Sequence, residues 1–155
     1  MDALQRRLPQ SLDAEQAVLG SILIENSCFE DVAQIISADD FYLEVHSQIF
    51  ALMQSYNLQN KPIDVIPFLN SLVSEKIYED MDAARSYVKL LVDIVPSYSN
   101  AADYAKIVRD KSTLRRLIQA TDEIQSDAWY FHQTFHQHRL YHKRSRIRLV
   151  GAVVF

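Results

Sequence analysis

The scarcity of glycine and proline limits this chain more than any other sequence feature. The 155 residues include only two glycines and four prolines. A strand-rich architecture needs many tight turns, in which these two residues are common, so their scarcity favours helices. Hydrophobic residues make up 48 % and charged residues 23 %, as in an ordinary globular protein. We predict an all-α fold, in which a compact bundle of about five short helices precedes one long helix.

The first helix is predicted from the stretch that follows Pro9. Proline keeps the preceding residue out of the helical region, and Asp13 with Gln16 three residues later fits a capping box. Glu15 falls in the first turn, where a negative charge favours the positive end of the helix dipole. Glycine inside a helix is less favourable than alanine by about 1 kcal/mol of helix stability. Because Gly20 is present in spite of this cost, we expect another backbone to pack closely against the helix at this position.

Four further short helices are expected because apolar residues recur at helical spacing between breaks. Ser27 with Glu30 is typical of a capping box, and Asp64 is suited to cap the fourth helix. The single cysteine, Cys28, is expected as a small buried apolar group in a reducing cytoplasm. His46 is expected to be a packed or surface residue, since a metal site needs further ligands. The expected ranges are 28–36, 43–56, 64–73 and 82–94.

The longest predicted helix runs from Asn100, which is suited to cap it, to about Ser126. Its roughly 26 residues span about 39 Å, which exceeds what a core of five short helices covers. A narrow apolar seam of near-heptad spacing favours a partner, either a returning helix or another subunit. A long helix packed on its own domain is the alternative. The predicted interface residues are Tyr104, Ile107, Val108, Leu114, Leu117, Ile118 and Ile124.

The last 27 residues differ in charge from the rest of the chain. Residues 1–128 hold 11 basic and all 20 acidic residues, whereas residues 129–155 hold five basic residues and no acid. We expect a head over 1–99, a long helix over 100–127 and a poorly ordered basic and aromatic tail over 128–155. Basic residues interleaved with aromatic ones can bind single-stranded nucleic acid through phosphates and stacking. The tail holds four histidines, including pairs spaced for zinc, but lacks the cysteines and acids that would complete a site.

The sequence lacks the chemistry of a nucleotide-driven motor. A phosphate-binding loop needs glycines before Lys-Ser/Thr, yet Lys111-Ser112 follows no glycine and lies within a predicted helix. We therefore expect no catalytic, cofactor-binding or metal-binding residues in this chain, and no enzyme activity of its own. The amino terminus is polar and interrupted by Pro9, unlike a signal peptide, and no uncharged apolar run reaches the roughly 18 residues of a membrane span. We expect a cytoplasmic location.

Several separated segments carry a resemblance to one family. The opening run from Pro9 holds Ala14-Glu15 and Val18-Leu19-Gly20, and Tyr104 to Ile118 closes the pattern. In this order and spacing, residues 8–127 resemble the amino-terminal domain of bacterial DnaB-type replicative DNA helicases. Between the opening run and the segment from Tyr104 to Ile118, the residues that match the family are Asp40-Phe41-Tyr42, His46, Ile49-Phe50 and Pro62-Ile63-Asp64.

The resemblance implies a helical head followed by a helical hairpin, of which the long helix is the first arm. In the family, hairpins pair and six copies, arranged as a trimer of dimers, form a collar above the motor ring. The collar takes part in binding primase and, in some bacteria, loader proteins. Full-length relatives unwind DNA with ATP and magnesium, and DNA is contacted through the complete ring. The resemblance thus implies an oligomerisation and docking module for DNA replication.

From Ala128 onward the resemblance ends. The family continues with a second hairpin arm, a linker and an ATPase domain, whereas this chain changes abruptly in charge and composition. Such a change is typical of an altered reading frame, which sequencing the gene through the codons for residues 120–155 tests. Two other function classes remain open: a nucleic-acid-binding fragment that acts through the basic tail, and a fragment of an enzyme whose motor lies elsewhere.

Overall fold

The computed structural model describes the backbone of residues 7–151 and the side chains of residues 7–134. This part of the chain contains six α-helices and no strand, so the all-α prediction is confirmed. Short 3₁₀ turns at Ala38–Asp40 and Tyr98–Asn100 precede the third and the sixth helix. The helices are α1 Leu12–Ile24, α2 Cys28–Ala33, α3 Glu44–Leu58, α4 Val65–Ser74, α5 Met81–Asp93 and α6 Ala101–Gly151.

Helix α1 lies in the centre of the core. Its apolar residues between Ala14 and Leu23 are almost fully buried, together with aromatic residues of α2, α3 and α4. Gly20 faces α5, where a β-carbon would collide with the main-chain carbonyl of Leu91 and the side chain of Val95. The predicted close approach at Gly20 is therefore confirmed. Residues in this core include Val18, Leu19, Ile22, Phe29, Phe50, Met53 and Phe68.

Two predicted helix caps are wrong. Helix α1 begins at Leu12, before Asp13, and its N-cap residue Ser11 makes no side-chain capping bond. Ser27 lies in the helical region, and its hydroxyl donates to Glu25 at 2.8 Å instead of capping α2. A carboxylate two residues before Ser27 competes successfully for its hydroxyl. The predicted cap at Asp64 is confirmed, because its carboxylate accepts from the amide of Ile66.

The sequence pattern predicted that the long helix ends near Ser126, but the helix continues beyond this residue. Its backbone continues to Gly151, because no proline or glycine interrupts the chain between Pro96 and that residue. The chain divides into two compact units after Arg115. The first turns of α6 therefore belong to the head unit, beyond the boundary at residue 99 that we expected. Within residues 7–151, no helix is both long and apolar enough to cross a membrane.

Candidate functional site: the long helix and its anchor on the head

The beginning of α6 is part of the head's core. Ala101, Ala105, Val108 and Ser112 are all buried, at spacings of four, three and four residues. Small side chains at the first two positions allow the helix to approach its neighbours closely. Val108 is thus covered by its own chain, and Tyr104 is partly buried against the same core. Of these two residues of the predicted interface, Val108 presents no free apolar surface and Tyr104 only part of its side chain.

Asp40 joins the head to this part of α6. Its Oδ1 accepts a hydrogen bond of 2.7 Å from the hydroxyl of Ser112, and both residues are buried. Its Oδ2 accepts from the amide of Ser37 at 2.8 Å and from the Ser37 hydroxyl at 3.2 Å. The same carboxylate therefore closes the 3₁₀ turn and holds the helix. Hydrogen bonds to a charged group are stronger than neutral ones, which favours a fixed geometry here.

Arg115 ties three segments together at the last position of the head unit. Its guanidinium donates to the carbonyl of Pro9 at 2.8 Å and to the carbonyl of Asp40 at 2.5 Å. It also lies 5.6 Å from the centre of the Tyr42 ring, within the range of a cation–π contact. The planar fork of arginine suits two divergent carbonyl acceptors, so lysine would not replace it.

A second buried polar network lies between α1, α3 and α5. Glu15 accepts from the amide of Tyr42 at 2.7 Å and meets Nδ1 of His46 at 2.6 Å. Nε2 of His46 lies 2.5 Å from the hydroxyl of Tyr87. Glu15 and His46 are essentially inaccessible to solvent, at 1 % and 0 % exposure. Each ring nitrogen of His46 therefore has one polar partner, the Glu15 carboxylate at Nδ1 and the Tyr87 hydroxyl at Nε2.

This network gives Glu15 a different role from the one its position in the first turn indicated. A buried carboxylate needs several donors, and residues from two other segments supply them. His46 is packed, as expected, but with specific polar partners. Next to it, burial and then the nearby Tyr87 raise the pKa of Tyr78 well above its ordinary value. The only sequence signal for this network was an acid on an otherwise apolar helix face.

The exposed apolar residues of α6 include five of the seven residues of the predicted interface. In the head unit, Ile107 and Leu114 are 42 % and 45 % exposed. In the second unit every side chain from 116 to 134 is exposed. Exposed apolar residues of this unit are Leu117, Ile118, Ile124, Trp129, Tyr130 and Phe131.

Spacing within the second unit shows a regular seam. Leu117, Thr121, Ile124, Ala128 and Phe131 follow one another at four, three, four and three residues. This is the a/d repeat of a coiled coil, and it places these residues along one side of the helix. Because the helix continues past Ser126, the seam extends through Ala128 and Phe131, which we expected to belong to the tail.

A shallow hollow on the second unit shares Ala128 with the seam. Its lining consists of Gln125, Ala128, Trp129 and His132, and its volume is about 270 Å³. The Trp129 and His132 rings meet edge to face at a centroid distance of 5.9 Å.

Within the described residues, no group of three or more His, Cys, Asp or Glu is placed to hold a metal. The histidines 136, 138 and 142 of the zinc alternative lie outside the described side chains.

The fold and this surface define an all-α domain whose head holds the start of a long helix with exposed apolar side chains. Residues 7–110 match the family model for the DnaB-like helicase N-terminal domain. The chain therefore belongs to the DnaB-like helicase N-terminal domain family. That family describes the amino-terminal part of the helicases and not their ATPase motor.

Relatives and solved structures agree with this assignment. The chain is 40 % identical over 116 residues to the replicative DNA helicase DnaB of Pasteurella multocida, covering 75 % of this chain and 25 % of the relative. It is 34 % identical over 125 residues to that of Geobacillus stearothermophilus, covering 81 % of this chain and 27 % of the relative. The chain thus spans about a quarter of the length of these relatives.

Two solved structures share the fold. The N-terminal domain of DnaB helicase from Mycobacterium tuberculosis superposes with a TM-score of 0.74 at 29 % identity, covering 79 % of this chain and 88 % of that one. The N-terminal domain of DnaB helicase from Helicobacter pylori, described with its interactions with primase, gives a TM-score of 0.64 at 24 % identity. It covers 83 % of this chain and 98 % of the other.

Proposed function

We propose that this chain acts in DNA replication as an oligomerisation and docking module of a replicative helicase. The observation that carries the proposal is the seam of α6, defined by Leu117, Thr121, Ile124, Ala128 and Phe131. All of its side chains are exposed, although the spacing is that of a helix packed on another helix. A second copy of this chain offers the same seam and is the proposed partner.

The energetics support a paired state. Full burial of a leucine, isoleucine or phenylalanine side chain contributes about 1.5–3 kcal/mol. Leu117, Ile124 and Phe131 are 63 %, 70 % and 62 % exposed, so most of this contribution is still available. In a symmetric dimer each of these side chains is buried in both copies, so its contribution to the free energy of association is doubled. This contribution offsets part of the entropy that is lost on association. In the complete helicase, such pairing would support the hexameric collar, as a trimer of dimers.

Primase is the second proposed partner. The Helicobacter pylori domain was described together with its interactions with primase, and the present chain has the same fold. We assign no cofactor to this module. ATP, magnesium, DNA unwinding and contact with DNA through the ring belong, in this proposal, to the motor of the full-length helicase. A helicase loader is a further partner of the module in the same proposal.

Analytical ultracentrifugation of seam variants tests self-association. Leu117→Gln with Ile124→Gln removes apolar surface without changing charge. Arg116→Gln with Glu123→Gln is the matched control, since these exposed positions lie off the seam and the net charge is unchanged. We expect the seam variant to raise the dimer dissociation constant at least about 100-fold, given about 1.5–3 kcal/mol per buried side chain. Equal effects of both variants would contradict the assignment of the seam.

Binding to a bacterial primase is measured on the same proteins by a pull-down with purified components. We expect the wild-type chain and the Arg116→Gln, Glu123→Gln control to retain primase. Loss of self-association with retained primase binding would separate the two docking functions. Absence of primase binding by the wild-type chain would contradict the primase part of the proposal alone.

A further inference from the structure

The residues that precede α1, residues 7–11, form a non-helical segment that contacts α6 through one side chain. The guanidinium of Arg115 donates a hydrogen bond of 2.8 Å to the main-chain carbonyl of Pro9. At the start of the segment, Arg7 is exposed and Leu8 is 44 % exposed, so burial of apolar surface contributes little there. The hydrogen bond from a charged donor is therefore the main polar link between this segment and the long helix.

Two features of the segment oppose its docked position. Among the side chains of residues 7–134, Oε1 of Gln10 is the one buried polar atom that lacks a hydrogen-bond partner. Burial of an unpaired acceptor is unfavourable, because the atom gives up its bonds to water and gains none. Ser11, the N-cap residue of α1, makes no side-chain capping bond either. Release of the segment would return the Gln10 amide to water, so the docked and released positions are closely balanced.

The docked segment contacts α6 at the point where the packed part of this helix ends. Arg115 is the last residue of the head unit, and every side chain from 116 to 134 is exposed. In an α-helix each amide donates to the carbonyl four residues earlier, so the amides of residues 116–119 depend on the turn formed by residues 112–115. An exposed helix without packing is only marginally stable in water. The seam begins within this stretch, at Leu117.

We propose that residues 7–11 are a releasable strap, which stabilises the start of the seam when it is docked on Arg115. When the strap is released, unwinding of the exposed helix extends into the turn of residues 112–115. Arg115 then keeps the carbonyl of Asp40 and the ring of Tyr42, so this turn is loosened and not lost.

The strap couples the amino terminus to the seam in both directions. A partner that holds the released strap loosens the helix at Leu117, and pairing through the seam favours the docked strap by the same free energy. The second half of this coupling rests on the proposed self-association. The effect of the strap on the helix does not, and it is measurable on a single copy.

Hydrogen exchange of the amides of residues 116–119 tests the strap on the full chain, at a protein concentration of about 1 μM. Two variants shift the strap in opposite directions and leave Arg115 unchanged. Gln10→Leu removes the unpaired acceptor and should slow exchange at least about five-fold. Pro9→Gly keeps the carbonyl but gives the released strap more conformations, and it should speed exchange about two- to five-fold.

Matched controls make the same chemical changes elsewhere in the head. Gln54→Leu lies on the exposed side of α3, and Pro62→Gly lies in the exposed loop that follows this helix. We expect neither control to change exchange at residues 116–119. Unchanged exchange there in Gln10→Leu or in Pro9→Gly would overturn the strap.

A double-mutant cycle tests whether the strap acts through Arg115. Arg115→Gln removes the donor on which the strap docks, and Arg109→Gln, at an exposed position of the same helix, is its control. In the Arg115→Gln background, Gln10→Leu and Pro9→Gly should no longer change exchange at residues 116–119, whereas their effects should persist in the control background. Effects of equal size in both backgrounds would overturn the proposal. Expected effects of the strap variants, together with no gain of protection at higher protein concentration, would confirm the strap and contradict pairing through the seam instead.

Discussion

The hydroxyl of Ser112 donates a hydrogen bond of 2.7 Å to the carboxylate of Asp40, although 72 residues separate them in sequence. Both are buried, and the second carboxylate oxygen of Asp40 closes the turn that begins at Ser37. Arg115, three residues after Ser112, donates to the main-chain carbonyl of Asp40. The start of the long helix is therefore fixed to the head through one residue of a short 3₁₀ turn.

Replacing Ser112 by alanine should destabilise the head. The change removes a buried donor to a carboxylate, and such a loss costs about 1–3 kcal/mol. Urea unfolding followed by circular dichroism measures this free energy. Ser126→Ala is the control, because Ser126 lies exposed on the same helix and bonds only to its own backbone at Asp122. A loss below about 0.5 kcal/mol in Ser112→Ala would contradict the anchoring role.

Replacing Glu15 by glutamine should be more damaging. Glutamine cannot accept at both oxygens from His46 and from the amide of Tyr42, so part of a buried network loses its partner. Leaving a buried donor without its acceptor costs about 1–3 kcal/mol, and more where a charged group is involved. Chemical denaturation of Glu15→Gln and of the exposed control Glu30→Gln gives the comparison. Equal stability of the two variants would show that the buried carboxylate is dispensable.

Replacing Gly20 by alanine sets two effects against each other. Alanine is favoured in a helix by about 1 kcal/mol, but its β-carbon would collide with the backbone carbonyl of Leu91. A backbone atom cannot move aside cheaply, and overpacking costs about 1–3 kcal/mol. We expect a lower melting temperature, whereas Asn70→Ala on the exposed side of α4 should be neutral or slightly stabilising. A higher melting temperature for Gly20→Ala would contradict the close helix approach.

Cys28 should be a poor nucleophile near neutral pH. Partial burial, followed by the charges of Glu25 and Asp31, raises the pKa of its thiol above the ordinary value of 9.0. A raised pKa means that the folded state holds the proton more tightly than the unfolded one. The associated stability is present below pH 9.0 and is lost as the pH rises through the folded-state pKa. Alkylation by iodoacetamide should therefore be slower than that of a model peptide at pH 8, and an equal rate would contradict this environment.

Much of the fold followed from local sequence signals. Few glycines and prolines and a helical period of apolar residues predicted an all-α domain, and Gly20 and Asp64 act as predicted. Errors arose where local rules compete. Ser27 had a carboxylate two residues away that captured its hydroxyl, and the charge change after Asp127 resembled a helix end although no helix-breaking residue is present.

The side-chain contacts that fix the candidate site could not be predicted from local sequence signals. Asp40 and Ser112, or Glu15 and His46, meet only after distant segments have packed, and no periodicity encodes the pairing. For the same reason the sequence did not separate Val108, which is buried in the head, from Leu114, which is exposed. Both fall on the predicted apolar seam. The direction in which each residue faces depends on where the head covers the helix.

Hydrogen exchange at residues 116–134, measured at rising protein concentration, tests most directly whether a second copy covers the long helix. A lone exposed helix is only marginally stable in water, because most helix stability comes from packing. If the seam pairs with another copy, amide protection in this segment should rise as the concentration increases from about 1 to 100 μM, whereas the core amides of α1 should not change. Equal protection of residues 116–134 at both concentrations would contradict the account.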